Sequence, residues 1–299
     1  MKADTPSSTA LLIAASVVHL RSGARARLVS RRGAEWCSAF LRFAGPLARR
    51  VPALVTREWF RRLVGAVERI TIPGMPVHFA LRKRYLRSWV LRNLRGEYRQ
   101  VVVLGAGFDT LCLELNERFP AVRFVEVDHP ATQRVKLRAL GAASVSPANL
   151  CFVPADLASV PLDRALAGCA GYDPGAKTLF VAEGLLMYLE ADRVDALLEE
   201  VARGEANRIA FSFLEPRRGG SPDFRIASGL VNGWLSLRRE RFRWGVGRTE
   251  LGEFLGSRGL RVTHVTDDRT FARGLPGDAF AASAPAVGEY LCTAESQRG

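Results

Sequence analysis

The sequence predicts an α/β protein, built on a doubly wound, mostly parallel sheet of seven strands that follows a helical segment. Two features carry this prediction. Up to residue 97, apolar residues recur with helical spacing between Gly and Pro breaks, and no strand alternation appears. From residue 99 onward, short β-branched apolar runs alternate with helical stretches, which is typical of parallel β-α-β units with buried strands.

The first region, residues 1–97, is expected to be a helical cover that shapes a substrate pocket. Its predicted helices are Thr9–Ala24, Ala34–Phe43, Arg57–Ile70 and Val77–Leu94. The apolar run Thr9–Leu20 is shorter than the roughly 20 residues that span a bilayer, and it lacks the basic leader of a signal peptide. We therefore expect a cytoplasmic protein without a membrane partner.

The second region, residues 98–299, supplies the strands. They are predicted at Val101–Leu104, Val122–Val127, Leu150–Val153, Thr178–Ala182, Arg208–Phe213, Leu260–Thr266 and Glu289–Thr293. Helices are predicted at Leu111–Phe119, Ala131–Leu140, Leu162–Ala167, Ala191–Arg203 and Glu250–Ser257. The stretch 215–248 is rich in Arg, Gly and Trp and is expected to be a lid-like insertion, because long connections are often functional. Both regions should form one compact domain.

Composition narrows the class of partner. The net charge of +13 suggests binding to nucleic acid, but the basic residues are scattered and nearly all are Arg. We therefore favour a basic surface that attracts acidic small molecules over a nucleic-acid site. The five cysteines contain no CxxC pair, so neither a disulfide framework nor a metal site is expected, and a reducing compartment fits best. The oligomeric state is left open.

A glycine turn, Gly105-Ala106-Gly107, follows the first predicted strand and precedes a helix. Glycines allow the backbone to approach a ligand closely, and the helix start offers free N–H groups, although a purely structural turn has the same pattern. A dinucleotide fold needs a third glycine where Thr110 stands, and Asp109 would repel a pyrophosphate. The same carboxylate suits a cationic cofactor, so the turn favours S-adenosylmethionine over NAD.

Further acids stand at or just beyond the ends of the next three strands. Asp128 ends the second strand and can accept the two hydroxyls of an adenosine ribose. Asp156 lies at the equivalent edge of the third strand, where it could meet the adenine amino group, and Glu183 ends the fourth. Ligands of parallel sheets bind across these strand ends. The alternative for each residue alone is a solvated carboxylate without a ligand.

Several consecutive motifs resemble one known family. VVVLGAGFDT, FVEVDHPATQRVKLRAL, FVPADL and FVAEGLLMYLEADRVDALLEEVA are similar to successive motifs of the leucine carboxyl methyltransferase-like family, which includes bacterial O-methyltransferases of polyketide tailoring. The resemblance runs from about residue 9 to the C-terminus and is most specific over Val101–Val201. It implies a class I methyltransferase, or Rossmann-like, fold with an N-terminal helical cover.

The resemblance also implies roles for individual residues. Gly105 and Gly107 would line the methionine portion of the cofactor, and Tyr188 would lie near the transferred methyl group. With the turn, the predicted cofactor contacts are Arg82, Gly105, Gly107, Asp109, Asp128, Asp156, Leu157 and Glu183. Arg82 and Arg84 match an RxR pattern that would bind the cofactor carboxylate or the substrate, which makes Arg84 a candidate catalytic residue. One departure is Leu111, where many bacterial members carry Arg.

These residues predict an S-adenosylmethionine-dependent O-methyltransferase that acts on a small molecule by in-line methyl transfer. A carboxylate acceptor needs no general base, whereas a phenol with a pKa of about 10 benefits from one. Three alternatives stay open: a regulator that binds the cofactor without turnover, a nucleic-acid methyltransferase, and an NAD dehydrogenase. The second lacks a Pro-Pro-Tyr signature, and the third is disfavoured by Asp109.

Overall fold

The computed structural model describes residues 5–216, 242–266 and 288–297. Within these ranges the strands are β1 (Gln100–Leu104), β2 (Arg123–Asp128), β3 (Leu150–Pro154), β4 (Thr178–Ala182), β5 (Arg208–Leu214), β6 (Leu260–Val265) and β7 (Glu289–Ser296). They form one seven-stranded sheet in the order β3-β2-β1-β4-β5-β7-β6. The first five strands run parallel, and β7 pairs antiparallel with β5 and β6. The predicted fold class is confirmed.

The helices of the described residues surround this sheet. They are α1 (Ser8–Arg21), α2 (Arg31–Phe43), α3 (Val51–Leu54), α4 (Glu58–Ile70), α5 (Met75–Asn93), α6 (Leu111–Leu115), α7 (Pro130–Ala142), α8 (Leu162–Ala167), α9 (Ala191–Ala202) and α10 (Leu251–Gly256). Helix α3, a single turn, was not predicted from the sequence. The predicted helix α6 extended to Phe119, but the chain turns after Leu115 as it approaches Pro120, which disfavours helical backbone before it.

Alternate residues of β1 face two separate hydrophobic cores, because successive side chains of a strand point to opposite faces. Val101 and Val103 pack with apolar residues of α1, α2 and α5. Val102 and Leu104 face the core formed with α8, α9 and α10. The helices before the sheet therefore share a core with one of its faces. This is the packing expected of a helical cover.

Local signals explain where the first helices begin. The Ser7 hydroxyl accepts a hydrogen bond from the Ala10 amide at 3.2 Å, and Ser30 caps α2 in the same way through Gly33 at 2.8 Å. The Ser7 amide also donates to Thr132 of α7 at 3.0 Å, which fixes the start of α1 beside the sheet edge.

The described residues do not fully test two of the expectations from the sequence. The lid-like insertion 215–248 lies mostly outside the described residues, because 217–241 are not among them. The boundary between a cover at 1–97 and a core at 98–299 stays a prediction. Among the described helices, none combines the length and the apolar character that crossing a bilayer requires.

Candidate cofactor-binding site

A cavity of about 260 Å³ opens at the carboxyl ends of the central parallel strands, with residues of α1 on its opposite wall. The predicted site residues that line it are Gly105, Gly107, Asp109, Asp128, Asp156, Leu157, Glu183 and Tyr188. Thus the structure brings together residues that are spread over more than eighty positions of the sequence. Arg82 and Arg84 are not among the residues that line the cavity, and their positions are described below.

The glycine turn after β1 has a backbone that other residues rarely adopt. Gly105 and Gly107 have φ values of +63° and +51°. A Cβ atom on Gly105 would lie 2.8 Å from Leu185 Cδ1, and one on Gly107 would lie 3.2 Å from the Ala10 Cβ. The glycines therefore allow α1 and the segment after β4 to close around the turn, while the turn itself stays open to the cavity.

Asp128 ends β2 with one carboxylate oxygen unsatisfied. Its Oδ2 atom is buried and has no hydrogen-bond partner among the described residues. Burial raises the pKa of Asp128 to about 7, against the opposing effect of the backbone amides of His129 and Gly107. A buried acceptor without a partner is costly unless a ligand donates to it. The two hydroxyls of an adenosine ribose are donors of the required kind, so the site fits that group.

The raised pKa of Asp128 predicts that cofactor affinity depends on pH. Because ribose hydroxyls donate to the ionised carboxylate, we expect S-adenosylmethionine to bind more weakly as the pH falls through about 7, by up to about tenfold per pH unit. Calorimetric titration between about pH 6 and pH 8 measures this. Burial lowers the pKa of His129, which moves its titration away from that of Asp128.

Asp128→Asn is the matched control for this pH dependence, since the amide does not titrate. Its affinity should be weaker than that of the wild type at the upper end of the range and nearly independent of pH. The same raised pKa changes folding stability with pH in the opposite direction to cofactor affinity. A carboxyl whose pKa is raised on folding stabilises the folded state below its unfolded pKa, and this contribution is lost as the pH rises through about 7. A wild-type affinity that does not change with pH would contradict the assignment.

Asp156 and Leu157 form the wall next to Asp128, where the adenine was predicted to lie. The Oδ1 atom of Asp156 accepts a hydrogen bond from the Ala158 amide at 3.1 Å, which orients the side chain at the end of β3. Leu157 is buried, and its carbonyl oxygen accepts from Arg193 at 3.3 Å. The pair therefore offers an apolar surface beside a fixed carboxylate, which suits the face and the amino group of a purine.

Lys83 stands between two of the predicted acids and was missed by the sequence analysis. Its Nζ atom lies 2.5 Å from Asp109 Oδ2 and 3.2 Å from Glu183 Oε2. Burial alone would lower the pKa of Lys83, but the two carboxylates outweigh it and raise the pKa above its ordinary value. Burial likewise raises the pKa of Asp109, and Lys83 reverses this and holds it well below its usual range. This end of the cavity is therefore zwitterionic, like the amino-acid end of S-adenosylmethionine.

Arg82 lies behind Glu183 rather than in the cavity wall. Its Nε atom donates to Glu183 Oε1 at 2.9 Å, and its Nη1 atom lies 2.5 Å from Glu289 Oε1 at the start of β7. His78 completes the group through Nε2, 2.7 Å from Glu289 Oε2. All of these side chains are buried. In this structure Arg82 thus positions Glu183, and the cavity wall holds Lys83 in the place where the RxR pattern predicted Arg82.

Arg84 does not line this cavity. Residues of a helix point about 100° apart, so when Lys83 faces the cofactor cavity, its neighbours on α5 face elsewhere. Arg84 is exposed and lines a second cavity of about 330 Å³ between the helical cover and the start of α6. The structure therefore does not place Arg84 beside the predicted methyl group, and the geometry offers no support for its catalytic role.

Tyr188 lines the cavity from the segment that follows β4. It closes a short 3-10 turn, Leu186–Tyr188, and its hydroxyl lies 3.3 Å from Thr9 Oγ1 of α1. Its ring packs 5.4 Å from that of Phe242. An apolar cluster surrounds it, with members Ile13, Ile72, Met75, Phe79, Met187, Leu214 and Phe242. This part of the cavity offers two hydroxyl groups in apolar surroundings.

The site residues that were not predicted differ in how strongly the sequence indicates them. Lys83 stands inside the RxR pattern, and several acids converging on one cavity require a cation, so Lys83 could have been considered. Glu289 contacts Arg82 across 207 sequence positions, and no local pattern indicates such a contact. Neither Thr9 nor Ala10 carries a sequence signal for lining a ligand cavity.

Sequence comparisons with known proteins all point to methyltransferases. Residues 20–202 match the sequence model of the leucine carboxyl methyltransferase family. A protein of Mycobacterium marinum, provisionally named an S-adenosyl-L-methionine-dependent methyltransferase, is 31% identical over 211 residues, which cover 66% of this chain and 64% of that protein. A provisionally named relative from Frankia alni with the same activity in its name is 34% identical over 52% of this chain and 55% of its own length. The chain thus spans less than two thirds of these relatives.

Solved structures agree on the fold. A protein of the DUF574 family from Streptomyces avermitilis superposes with a TM-score of 0.56 at 16% identity, covering 87% of this chain and 96% of that one. A provisionally named methyltransferase from Thermobifida fusca gives a TM-score of 0.53 at 17% identity, covering 87% and 94%. At these identities the likeness shows the fold alone.

Proposed function

The chain belongs to the leucine carboxyl methyltransferase family, and on that premise we propose that it transfers the methyl group of S-adenosylmethionine to an oxygen atom of a small molecule. The family and the names of the relatives support the predicted cofactor and the class of methyltransferase. Neither the family nor these names specify an oxygen acceptor or a small-molecule substrate, so these two points are the content of the proposal. The observation that carries the proposal is the unsatisfied Asp128 carboxylate in a cavity that also holds a zwitterionic cluster and Tyr188.

Each part of the cavity matches one part of the cofactor. Asp128 accepts from the ribose, and Asp156 with Leu157 receives the adenine. Lys83 faces the cofactor carboxylate, while Asp109 and Glu183 attract its ammonium group, which can take over contacts that Lys83 makes in the structure. When bound, S-adenosylmethionine supplies a methyl group on a positively charged sulfur. This arrangement leaves the sulfur region between the glycine turn and Tyr188.

The surroundings of Tyr188 favour an acceptor with an apolar body and a carboxylate. Methyl transfer forms a bond to the acceptor oxygen as the bond to sulfur breaks, and a carboxylate has no proton to lose in this step. Among the described residues that line the cavity, the one histidine is His129, which lies at the Asp128 end. Catalysis then depends on alignment in a water-poor pocket rather than on proton transfer. Phenolic acceptors are the second class to test.

Transfer of a radioactive methyl group tests the proposal. The purified protein is incubated with methyl-labelled S-adenosylmethionine and separate panels of aromatic carboxylic acids, fatty acids and phenols. Label that enters an ester or ether product supports the proposal, and base-labile ester products identify the carboxylate class. Tight cofactor binding without transfer to any of these panels would contradict it and favour a regulator without turnover. Transfer to an added nucleic-acid panel instead would contradict the small-molecule substrate.

Tyr188→Phe is expected to reduce kcat by about tenfold while leaving the cofactor Kd within about twofold. The substitution removes the hydroxyl that lies next to Thr9 but keeps the ring against Phe242, so the fold should be unaffected. Single-turnover rates together with calorimetry separate the two effects. The matched control is Tyr172→Phe, a tyrosine outside the cavity lining, which should leave both constants unchanged. Equal losses in kcat and in cofactor affinity would place Tyr188 in the cofactor subsite instead.

A further inference from the structure

Helix α4 carries its apolar face on the outside of the molecule. Trp59, Leu63, Val67 and Ile70 are 60%, 52%, 47% and 65% exposed. Their spacing places all four side chains within one stripe of the helix surface. No residue of α4 is buried. An amphipathic helix of a globular protein normally turns such a stripe toward the core, so this orientation needs an explanation.

The opposite side of α4 is the side that holds it to the protein. Arg61 donates to the carbonyl oxygen of Thr56 at 3.1 Å, and Glu68 accepts from the Gly74 amide at 3.0 Å. Both charges also lie close enough to His19 of α1 to affect its pKa. Phe60 is the apolar residue of α4 that packs against the main core. On this side α4 is therefore held by hydrogen bonds to the segments directly before and after it and by the Phe60 ring, and none of these contacts involves the apolar stripe.

Arginines flank the exposed stripe. Arg57, Arg62 and Arg69 are all exposed, and Arg62 and Arg69 lie along one edge of the stripe by helical position. Of these, Arg62 pairs with Glu58 at 2.5 Å on the solvent surface, where such a pair is weak. The chain as a whole carries a net charge of +13. The partner of this face is thus expected to be apolar at its centre and anionic at its rim.

We propose that the exposed stripe of α4 docks onto the surface of an anionic lipid bilayer. A helix with aromatic and aliphatic residues on one face and arginines beside it binds in the headgroup region through apolar burial and attraction to anionic lipids. Trp59 at the start of the helix suits that region, where tryptophan is enriched. A second copy of this chain fits less well, because two strongly basic surfaces with flanking arginines would face each other.

This proposal departs from the sequence-based expectation of no membrane partner, which rested on the lack of a segment that crosses a bilayer or directs export; docking through the face of α4 needs neither. It is also independent of the methyl acceptor, because its readout is binding rather than turnover. The helix is joined through residues 71–74 to α5, which carries Lys83 and Met75.

Vesicle co-sedimentation of the full chain tests the proposal. The probes are phosphatidylglycerol vesicles and phosphatidylcholine vesicles, each at low and high salt. We expect binding to the anionic vesicles that weakens at high salt, and little binding to the neutral ones. The double variant Leu63→Gln, Val67→Gln should bind at least about tenfold more weakly, because it removes apolar contact from the stripe. Both positions are exposed, so the melting temperature should stay unchanged.

The matched control is Leu137→Gln on α7, which replaces a leucine that is also exposed but lies on another helix. It should bind vesicles like the wild type. Failure of the wild type to bind phosphatidylglycerol vesicles overturns the proposal, and so does equal loss of binding in the control. A dimer in sedimentation velocity that the double variant dissociates would assign the stripe to a second copy, which also overturns it.

Discussion

Asp128→Ala is expected to weaken the binding of S-adenosylmethionine by roughly 100-fold or more. Hydrogen bonds to a charged group contribute about 1.5–3 kcal/mol each, and a carboxylate that accepts two ribose hydroxyls loses both in this variant. A loss of about 3 kcal/mol corresponds to a factor of roughly 150 in Kd. Isothermal titration calorimetry measures this directly, with S-adenosylhomocysteine as a second ligand that shares the ribose.

The apo protein supplies an independent readout for the same variant. Because the Asp128 carboxylate is buried with one oxygen unpartnered, its removal should not lower the melting temperature and is expected to raise it by a few degrees above neutral pH. A weaker ligand together with a more stable apo protein would identify Asp128 as a ligand-binding group. A stability loss that accompanies the affinity loss would instead indicate a structural role. Asp163→Ala, an exposed acid on α8, is the control and should change neither quantity.

Glu289→Ala is expected to destabilise the fold by about 3–5 kcal/mol, since it leaves the buried Arg82 guanidinium with only Glu183 as a counter-charge. In a chain of this size such a loss lowers the melting temperature by roughly 6–15 °C. His78 also loses its hydrogen bond to Glu289. Thermal or denaturant unfolding measures the change, which should be among the largest produced by replacing one polar residue.

A double-mutant cycle separates the pair from general core damage. Arg82→Met combined with Glu289→Met should cost clearly less than the sum of the single substitutions, because the double variant leaves neither partner uncompensated. Additive costs would contradict a specific coupling between the two residues. The pH gives a second check. Arg82 and His78 outweigh the effect of burial and lower the pKa of Glu289 to about 2.

The lowered pKa of Glu289 makes its contribution to folding stability depend on pH. A carboxyl whose pKa is lowered on folding stabilises the folded state above its unfolded pKa of about 4.5, and this contribution is lost as the pH falls toward about 2. The difference in stability between the wild type and Glu289→Ala should therefore shrink in acid. A difference that stays constant from neutral pH to about pH 3 would argue against an ionised Glu289 in the folded state.

The sheet was predictable because its signal is local. The central strand β1 is a short β-branched run buried on both faces, and the structure places β4, which is also fully buried, at the predicted residues 178–182. The acids at the strand ends were predictable for the same reason: strand ends of a parallel sheet meet at one edge, so Asp128, Asp156 and Glu183 had to converge. Their roles toward the cofactor stay predictions.

The positions of the arginines were less predictable because they depend on helix phase and on distant contacts. A shift of one residue rotates a side chain by about 100°, which decides whether Arg82 or Lys83 faces the cavity. The helix phase is fixed by Glu289 at the start of the last strand, which forms an ion pair with Arg82. The outward face of α4 was missed for a related reason. Its periodicity predicts a helix, but periodicity alone does not say on which side the core lies.

A crystal structure with bound S-adenosylhomocysteine tests the central claim most directly. We predict that the ribose hydroxyls lie within hydrogen-bond distance of Asp128, with the adenine between Asp156 and Leu157. The amino-acid end should lie against Lys83, Asp109 and Glu183, and the sulfur should face Tyr188. A ligand that occupies the second cavity beside Arg84, or an adenosine that leaves the Asp128 oxygens without a donor, would contradict the account.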